Sequence, residues 1–443
     1  MNEHPQYPWD HYSDQPRIMR DKKLKRKIYV KASIHLLKSG FLLLLFPFIL
    51  LIFLTRKSWR PSKQNRCIGL SIHVESECPG KHIVPIEQIT EMVDELGVRE
   101  ILVRIKLADS NNFTPYIEHI DALARFGCEI SVNIIQDRTL IEDEKILEEA
   151  LRKLLTSLKD NVKYIHVGNA YNRRKWAFYH FGEYYKFFQT VRSIADEITP
   201  EIKLIGGAVI DFELPPFFES FFNFRRGHYD GFSSQLYVDR RGAPENKQGG
   251  FNFLSKINLI ALMNKLSWKT KGELWITEAN WPLKDTEKFS PCKGSALVSP
   301  QTQADYLTRS YLIAMASANV RTYSWHQLIA PGYGLVDNRA NTPIKRPSYH
   351  AFKTLNYLFR NAEILHFSNG DYNGLRELYS IKIRTTLNDT PTIIQAFWSN
   401  NGEQCIHFSS PEYWIDQEGN PLEFSDHSKI AVSSSVIYAV NPN

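Results

Sequence analysis

Residues 164–176 read YIHVGNAYNRRKW. An apolar run, Tyr164-Ile165-His166-Val167, meets Gly168-Asn169 and gives way to a loop rich in Asn and Arg. A strand covered on both faces reads as a continuous apolar run, and Gly with Asn supports the turn that ends it. The stretch is therefore read as a buried strand whose C-terminal end opens into a polar loop.

The same unit recurs in both directions. Upstream stand RCIGLSIHV (66–74), REILVRI (99–105) and CEISVNII (128–135); downstream stand IKLIGGAVI (202–210), YDGFSSQLYV (229–238), ELWITEANW (273–281) and VRTYSWHQLI (320–329). With VKYIHVGN (162–169) that makes eight strand candidates. Amphipathic stretches separate them, for example Pro85 to Leu96, Tyr116 to Phe126, Glu142 to Leu158 and Gln301 to Ala318. Eight β-α units over residues 66–360 predict a single (β/α)8 barrel, whose reactive groups lie at the C-terminal ends of the strands. A doubly wound open sheet is the competing arrangement, and it lacks the Gly-rich dinucleotide fingerprint after the first strand. From residue 361 to 443 the texture changes to alternating β-branched and polar residues with turn pairs such as Asn401-Gly402, which predicts a small antiparallel β domain.

The N-terminus reads differently. Met1 to Gln15 is polar and aperiodic, which predicts a disordered tail. A basic stretch, RIMRDKKLKRKIYVK (17–31), then runs into FLLLLFPFILLIFL (41–54). Counted from Ile34 with Lys38 snorkelling, the apolar run reaches about the 20 residues a membrane span needs, and Pro47 is tolerable in such a helix. No small-residue cleavage site follows. The expectation is an uncleaved signal anchor: a basic cytoplasmic tail 1–33, one transmembrane helix 34–55, a linker 56–65, and the rest outside the cytoplasm at the plasma (inner) membrane. A buried core helix is the alternative.

The 443 residues are 43% hydrophobic and 23% charged with a net charge of +6, an ordinary globular composition with room for one large domain and a smaller one. The basic excess is small and concentrated between Arg17 and Lys38, so nucleic acid is not an expected partner. Five cysteines, Cys67, Cys78, Cys128, Cys292 and Cys405, have no C-x-x-C spacing; one or two disulfides are allowed, and buried thiols are the plainer expectation. There is no zinc-ligand spacing, no phosphate-binding loop and no G-x-S-x-G, so no cofactor is expected.

LWITEANWP (274–282) ends the seventh candidate strand on a carboxylate, Glu278; YSWHQL (323–328) ends the eighth on Trp325; KRPSYHAFKTL (345–355) follows. In order and spacing these resemble the clan A glycoside hydrolases, barrels with carboxylates at the ends of strands four and seven, and especially their family 39 branch, which adds a β domain. The resemblance covers residues 66–360. It implies a nucleophile at Glu278, an aromatic sugar floor at Trp325 and a general acid at position 170, where this chain has Ala170 instead.

A retaining glycosidase needs a second, protonated carboxyl about 5.5 Å from the nucleophile. Asp211 and Glu213 in AVIDFE follow the neighbouring fifth strand, and Glu75 and Glu77 follow the first. Asp211 is the favoured substitute; its plain alternative is a loop salt bridge or cap. For Glu278 the alternative is a structural ion pair with a barrel arginine such as Arg104. Asn169 would bond the hydroxyl beside the anomeric carbon, as the matching family residue does, or merely form the turn. Tyr237 would orient Glu278 or pack. Trp281, Trp325 and Tyr333 would stack on sugar or pack. His166 reads as a satisfied core histidine, while His73 and His326 have no assigned role. Arg240 and Arg241, in RRGAPENKQGG (240–250), suit an acidic sugar or phosphate but read first as a solvated loop.

The function expected is a membrane-anchored glycoside hydrolase acting outside the cytoplasm on a surface or nascent polysaccharide. The alternative is an inactive carbohydrate-binding or scaffold barrel among envelope glycan-assembly proteins. A type II membrane glycosyltransferase fits less well, for want of a D-x-D motif. The expected partners are a poly- or oligosaccharide and, through the N-terminal helix, the membrane.

Overall fold

The structure is a computed structural model, and it describes residues 7–17, 26, 30, 33, 40–55, 67–74, 77–238, 242–270, 272–408, 411–426 and 429–442. Eight parallel strands close into a barrel: β1 Ile68–His73, β2 Glu100–Lys106, β3 Glu129–Ile135, β4 Val162–Val167, β5 Lys203–Ile210, β6 Gly231–Gln235, β7 Leu274–Ala279 and β8 Val320–Trp325. Each pairs with its neighbours in sequence, and β8 returns to β1 through Tyr323, Ser324 and Trp325 opposite Ile68, Gly69 and Leu70. Within it, His166 of β4 is in register with Asn133 of β3 and Ile205 of β5.

The strands form because their side chains are buried on both faces, and the helices because each has one apolar face to give them. In Glu144–Leu158 that face is Leu147, Leu151, Leu154, Leu155 and Leu158. Its start is fixed by Asp143, whose carboxylate accepts from the amides of Lys145 and Ile146. Helix Pro300–Ala316 begins with Ser299 accepting from Thr302 and with Pro300 in the first turn, where its missing N–H costs nothing.

A six-stranded antiparallel sheet follows, in the order Glu363–Ser368, Leu378–Leu387, Thr390–Ser399, Ile437–Pro442, Tyr413–Asp416 and Pro421–Leu422. Its Ile381, Ile383, Ile394, Trp398 and Tyr438 belong to the same continuous apolar core as the barrel. At the seam Arg309 bonds Glu245, both side chains 1% exposed, and Trp398 Nε1 donates to Glu245 Oε1 at 2.7 Å.

The N-terminal expectation is overturned. The apolar run forms a 3-10 turn, Phe41–Leu45, and a ten-residue helix, Phe46–Thr55. At 1.5 Å per residue that helix is about half the 30 Å of a bilayer core. No helix among the described residues is long and apolar enough to cross a membrane. Instead the run lies on the barrel: Leu42 and Ile49 are buried, Phe46 meets Phe218 of helix Leu214–Phe222 edge-on at 6.1 Å, and Phe53 meets Phe251 at 6.0 Å. The transmembrane helix, the membrane as partner, the anchored form of the enzyme and the plasma-membrane location that rested on it are therefore withdrawn. Residues 34–39 of the expected span lie outside the described residues.

The polar start is not a bare tail either. Trp9–Asp10 pairs antiparallel with Gln15–Pro16, and the hairpin docks through Trp9 on Trp176 (5.9 Å), Tyr7 on Tyr179 (6.4 Å) and Tyr12 on Phe289 (5.7 Å). Three spaced aromatics outweigh the polar composition around them. All five cysteines are free thiols, Cys67, Cys78 and Cys128 buried.

Candidate active site

β4 ends at Val167, and the chain turns at Gly168, whose φ of +83° and 3.1 Å clearance from the Tyr184 ring exclude a side chain. The next residue, Asn169, is 1% exposed and clamped by Gln136 from the end of β3: its N–H donates to Gln136 Oε1 and its carbonyl accepts from Gln136 Nε2, both at 2.8 Å. Asn133 Nδ2 holds the carbonyls on either side of the bend, at His166 and Gly168. The clamp aims the Asn169 amide along the barrel mouth, where its Oδ1 accepts from Gln235 Nε2 at the end of β6.

Gln235 Nε2 also lies 3.3 Å from Glu278 Oε2, and Tyr237 Oη donates to Glu278 Oε1 at 2.5 Å. Glu278 of β7, Asn169 just beyond β4 and Tyr237 beyond β6 are thus brought to one point. Both oxygens of the carboxylate receive a donor, which fixes its plane. Asn169 Nδ2 and Gln235 Oε1 are buried without a protein partner.

A second group lies beside it. Arg104 of β2, 4% exposed, places Nη1 3.2 Å from His73 Nε2 and 3.3 Å from His326 Nε2, with its guanidinium over the Trp176 ring at 5.6 Å. Both histidines then accept from Arg104 and stay neutral. Burial and the arginine push His73 down to about 4, and burial pushes His326 well below the ordinary histidine range. Tyr333 stacks on His326 with ring centroids 5.4 Å apart. Arg104, Trp176, His326 and Tyr333 line a cavity of about 920 Å³ together with Glu278, Tyr237 and Asn280, and His73 stands behind Arg104. Such a volume is at the upper end for small-molecule sites.

The second carboxylate is less simply placed. Asp211 lies on the cavity wall, where Arg173 Nη2 bonds its Oδ2 at 2.5 Å while Nη1 bonds Glu213 Oε1 at 2.9 Å. Both acids are thus fastened by one guanidinium. Ala170 is fully buried at φ +44° in an apolar nest with Ile135 and Trp176. Trp281 and Trp325 stack on each other at 5.9 Å, 3% and 0% exposed, and Trp281 Nε1 donates to the Gly242 carbonyl. They pack under the mouth and are not among the cavity-lining residues. His166 is in the core as expected, but neither ring nitrogen has a partner, so it is not satisfied. Glu77 is exposed and off the cavity wall; Glu75, Arg240 and Arg241 fall outside the described residues. Among the described residues, no group of three or more His, Cys, Asp or Glu could hold a metal ion.

Sequence reasoning missed Gln235 and Gln136, which hold Glu278 and Asn169, and the N-terminal residues Ser13, Asp14 and Gln15, which line the cavity. Gln235 left a trace, a large polar side chain ending an otherwise small and apolar strand. Asp14 left none.

No family profile and no curated protein sequence matches the chain. Solved structures do. A GH39 β-xylosidase from Caulobacter crescentus aligns with a TM-score of 0.57 at 13% identity, over 88% of this chain and 98% of that one. A GH39 enzyme from Xanthomonas axonopodis pv. citri aligns at 0.54 and 12%, over 86% and 95%. A GH51 arabinofuranosidase from the same organism aligns at 0.53 and 13%, over 88% and 98%. The chain has the barrel-plus-sheet fold of clan A glycosidases at remote identity, and likeness at this level is one of fold.

Proposed function

We propose that this chain is a saccharide-binding barrel of the glycoside-hydrolase kind, with Glu278 as its nucleophile. The observation that carries the reading is the constellation of Asn169, Gln235, Tyr237 and Glu278, in which Tyr237 and Glu278 line the cavity and Gln235 links Glu278 to Asn169 behind them. An ionised carboxylate whose two oxygens are held by Tyr237 and Gln235 cannot rotate away from an anomeric carbon placed above it. Asn169 Nδ2, open beside it, would take the adjacent sugar hydroxyl. In the reaction a Glu278 oxygen forms a bond to the anomeric carbon while the bond to the leaving oxygen breaks and its electron pair departs with that oxygen. Water then attacks the same carbon, the glycosyl ester opens, and Glu278 is regenerated.

Asp211 is the proposed proton source, and it acts only when Arg173 releases it. General acid catalysis is worth about 10²- to 10⁴-fold, so ordinary glycosides should turn over slowly and activated aryl glycosides, whose leaving groups need no proton, much faster. A non-catalytic saccharide binder is the second reading, favoured by Ala170 at the strand-four position and by the Arg173 clamp.

The test is a panel of 4-nitrophenyl and 2-fluoro glycosides. Phenolate release, a sugar adduct on the peptide containing Leu274 to Trp281, and loss of both in Glu278→Gln with binding retained are the expected results. Absence of any adduct with a sugar that demonstrably binds would leave the binder.

A further inference from the structure

Besides Glu213, which Arg173 holds, the cavity wall carries a carboxylate that the proposed chemistry does not use. Asp14, at the tip of the N-terminal hairpin, reaches in from residues 7–17. Its Oδ2 accepts from His73 Nδ1 at 2.5 Å and lies 4.0 Å from Arg104 Nη1. Ser13 and Gln15 line the same cavity, with Gln15 Nε2 on the Pro291 carbonyl at 3.4 Å and Gln15 Oε1 accepting from Lys175 Nζ. The hairpin is held to the rim by separate contacts: Trp9 under Lys106 (5.1 Å) and against Trp176, and the His11 carbonyl accepting from Lys81 Nζ at 2.7 Å.

The receiving groups are built for an anion. Arg104 is 4% exposed, yet its Nε and Nη2 have no partner, and neither does Nδ1 of His326, 5% exposed. Lys106 adds a second cation facing Asp14, offset in part by Asp109 at 3.6 Å from Lys106 Nζ. A buried arginine with open donors needs an anion to repay its desolvation. Asp14 supplies one, but monodentately, through His73, at the edge of hydrogen-bond reach of the arginine. The Nε and Nη2 donors of the guanidinium make no hydrogen bond, and such a fork takes a carboxylate two-handed.

From this we infer that Arg104, His73 and His326 form a carboxylate subsite for an acidic sugar, a uronate, and that Asp14 is a tethered occupant which such a ligand displaces. The inference rests on the saccharide reading of the cavity and names its substrate class. A group carried on the same chain competes intramolecularly with a free ligand for the same donors. Asp14 therefore weakens binding of an acidic sugar without abolishing it, and the hairpin acts as a competitor that neutral sugars do not relieve.

The probes are 4-nitrophenyl β-glucuronide and 4-nitrophenyl β-glucoside, which differ only in the C6 carboxylate. Dissociation constants are measured on the full chain carrying Glu278→Gln, which stops turnover, with and without Asp14→Asn. The glucuronide is expected to tighten in the variant at least ten-fold more than the glucoside. In the unmutated chain, the glucuronide but not the glucoside should raise amide hydrogen exchange across residues 7–17. Equal tightening of both probes would make the hairpin a steric wall with no carboxylate subsite. No tightening of either, with no change in exchange, would make it a fixed part of the fold; either result overturns the inference. Phenolate release from the glucoside with an adduct on Glu278 would then still support the hydrolytic reading, whereas glucuronide displacement without any adduct would sink that reading and leave the subsite standing.

Discussion

Ala170 stands where the resemblance to clan A barrels implies a general acid, and its surroundings are closed to a larger side chain. The methyl group points into the nest of Ile135 and Trp176, and the backbone has turned to φ +44°, a conformation that residues with larger side chains adopt at a cost. Ala170→Glu should therefore place a carboxylate in an apolar pocket, lower stability by about 3 kcal/mol in urea titration, and leave hydrolysis of unactivated glycosides where it was. A stable variant with restored hydrolysis would show that the pocket yields. At this scale the sequence was legible where chemistry conflicts with environment. Glu278 stands out because a carboxylate leaving an apolar strand needs a reason, and it does face the cavity. Trp325 was misleading, because an aromatic at a strand end looks the same in sequence whether it faces the mouth or, as here, stacks inward on Trp281.

Elements were legible in proportion to how much of their pattern is local. All eight runs marked as strands coincide with barrel strands, since burial on both faces writes itself directly into composition. The apolar run at 41–54 was read through its length and charged flanks, and neither reports which surface the run covers. It covers the barrel beside helix Leu214–Phe222 and the loop at Phe251, leaving Phe48, Leu51 and Leu54 outward. Ile49 is 5% exposed on the inner face, so Ile49→Ala should destabilise the chain by about 2–4 kcal/mol, the range for truncating a packed aliphatic side chain. Phe48→Ala on the outer face should change little. Equal, small effects in chemical denaturation would mean that this helix does not dock. The hairpin at 7–17 escaped notice for the complementary reason: its partners lie far off in sequence, at 73, 176 and 289.

Across the whole molecule the barrel and the sheet are joined through buried charge. Arg309 holds Glu245 of the loop after β6 and donates to Asn400 Oδ1 of the sheet at 2.8 Å, so Arg309→Met should strand Glu245 and lower stability by about 3–5 kcal/mol. Acid should reveal a second whole-molecule property. His73, near 4, and His166, near 3, are held below their ordinary value of about 6.5 by burial, helped by Arg104 and Arg321 respectively; burial lowers His326 in the same direction. Between pH 6.5 and 4 the unfolded chain binds protons at these histidines and the folded chain does not. Their contribution is therefore complete above about pH 6.5 and is lost as pH falls, by up to about 1.4 kcal/mol per pH unit for each. Carboxylates act in a lower window: Glu95, lowered to about 2 by Lys345, Tyr349 and Lys353, protects the fold until pH falls below its ordinary value near 4.5. Urea midpoints from pH 7.5 to 4.5 should fall steeply below 6.5, and His166→Leu, which removes a proton-binding ring that has no hydrogen-bond partner, should flatten that slope by about one proton. A midpoint that stays level down to pH 4.5, or an unchanged slope in His166→Leu, would mean that the histidines titrate alike in the folded and unfolded chains and that water reaches them in the folded barrel.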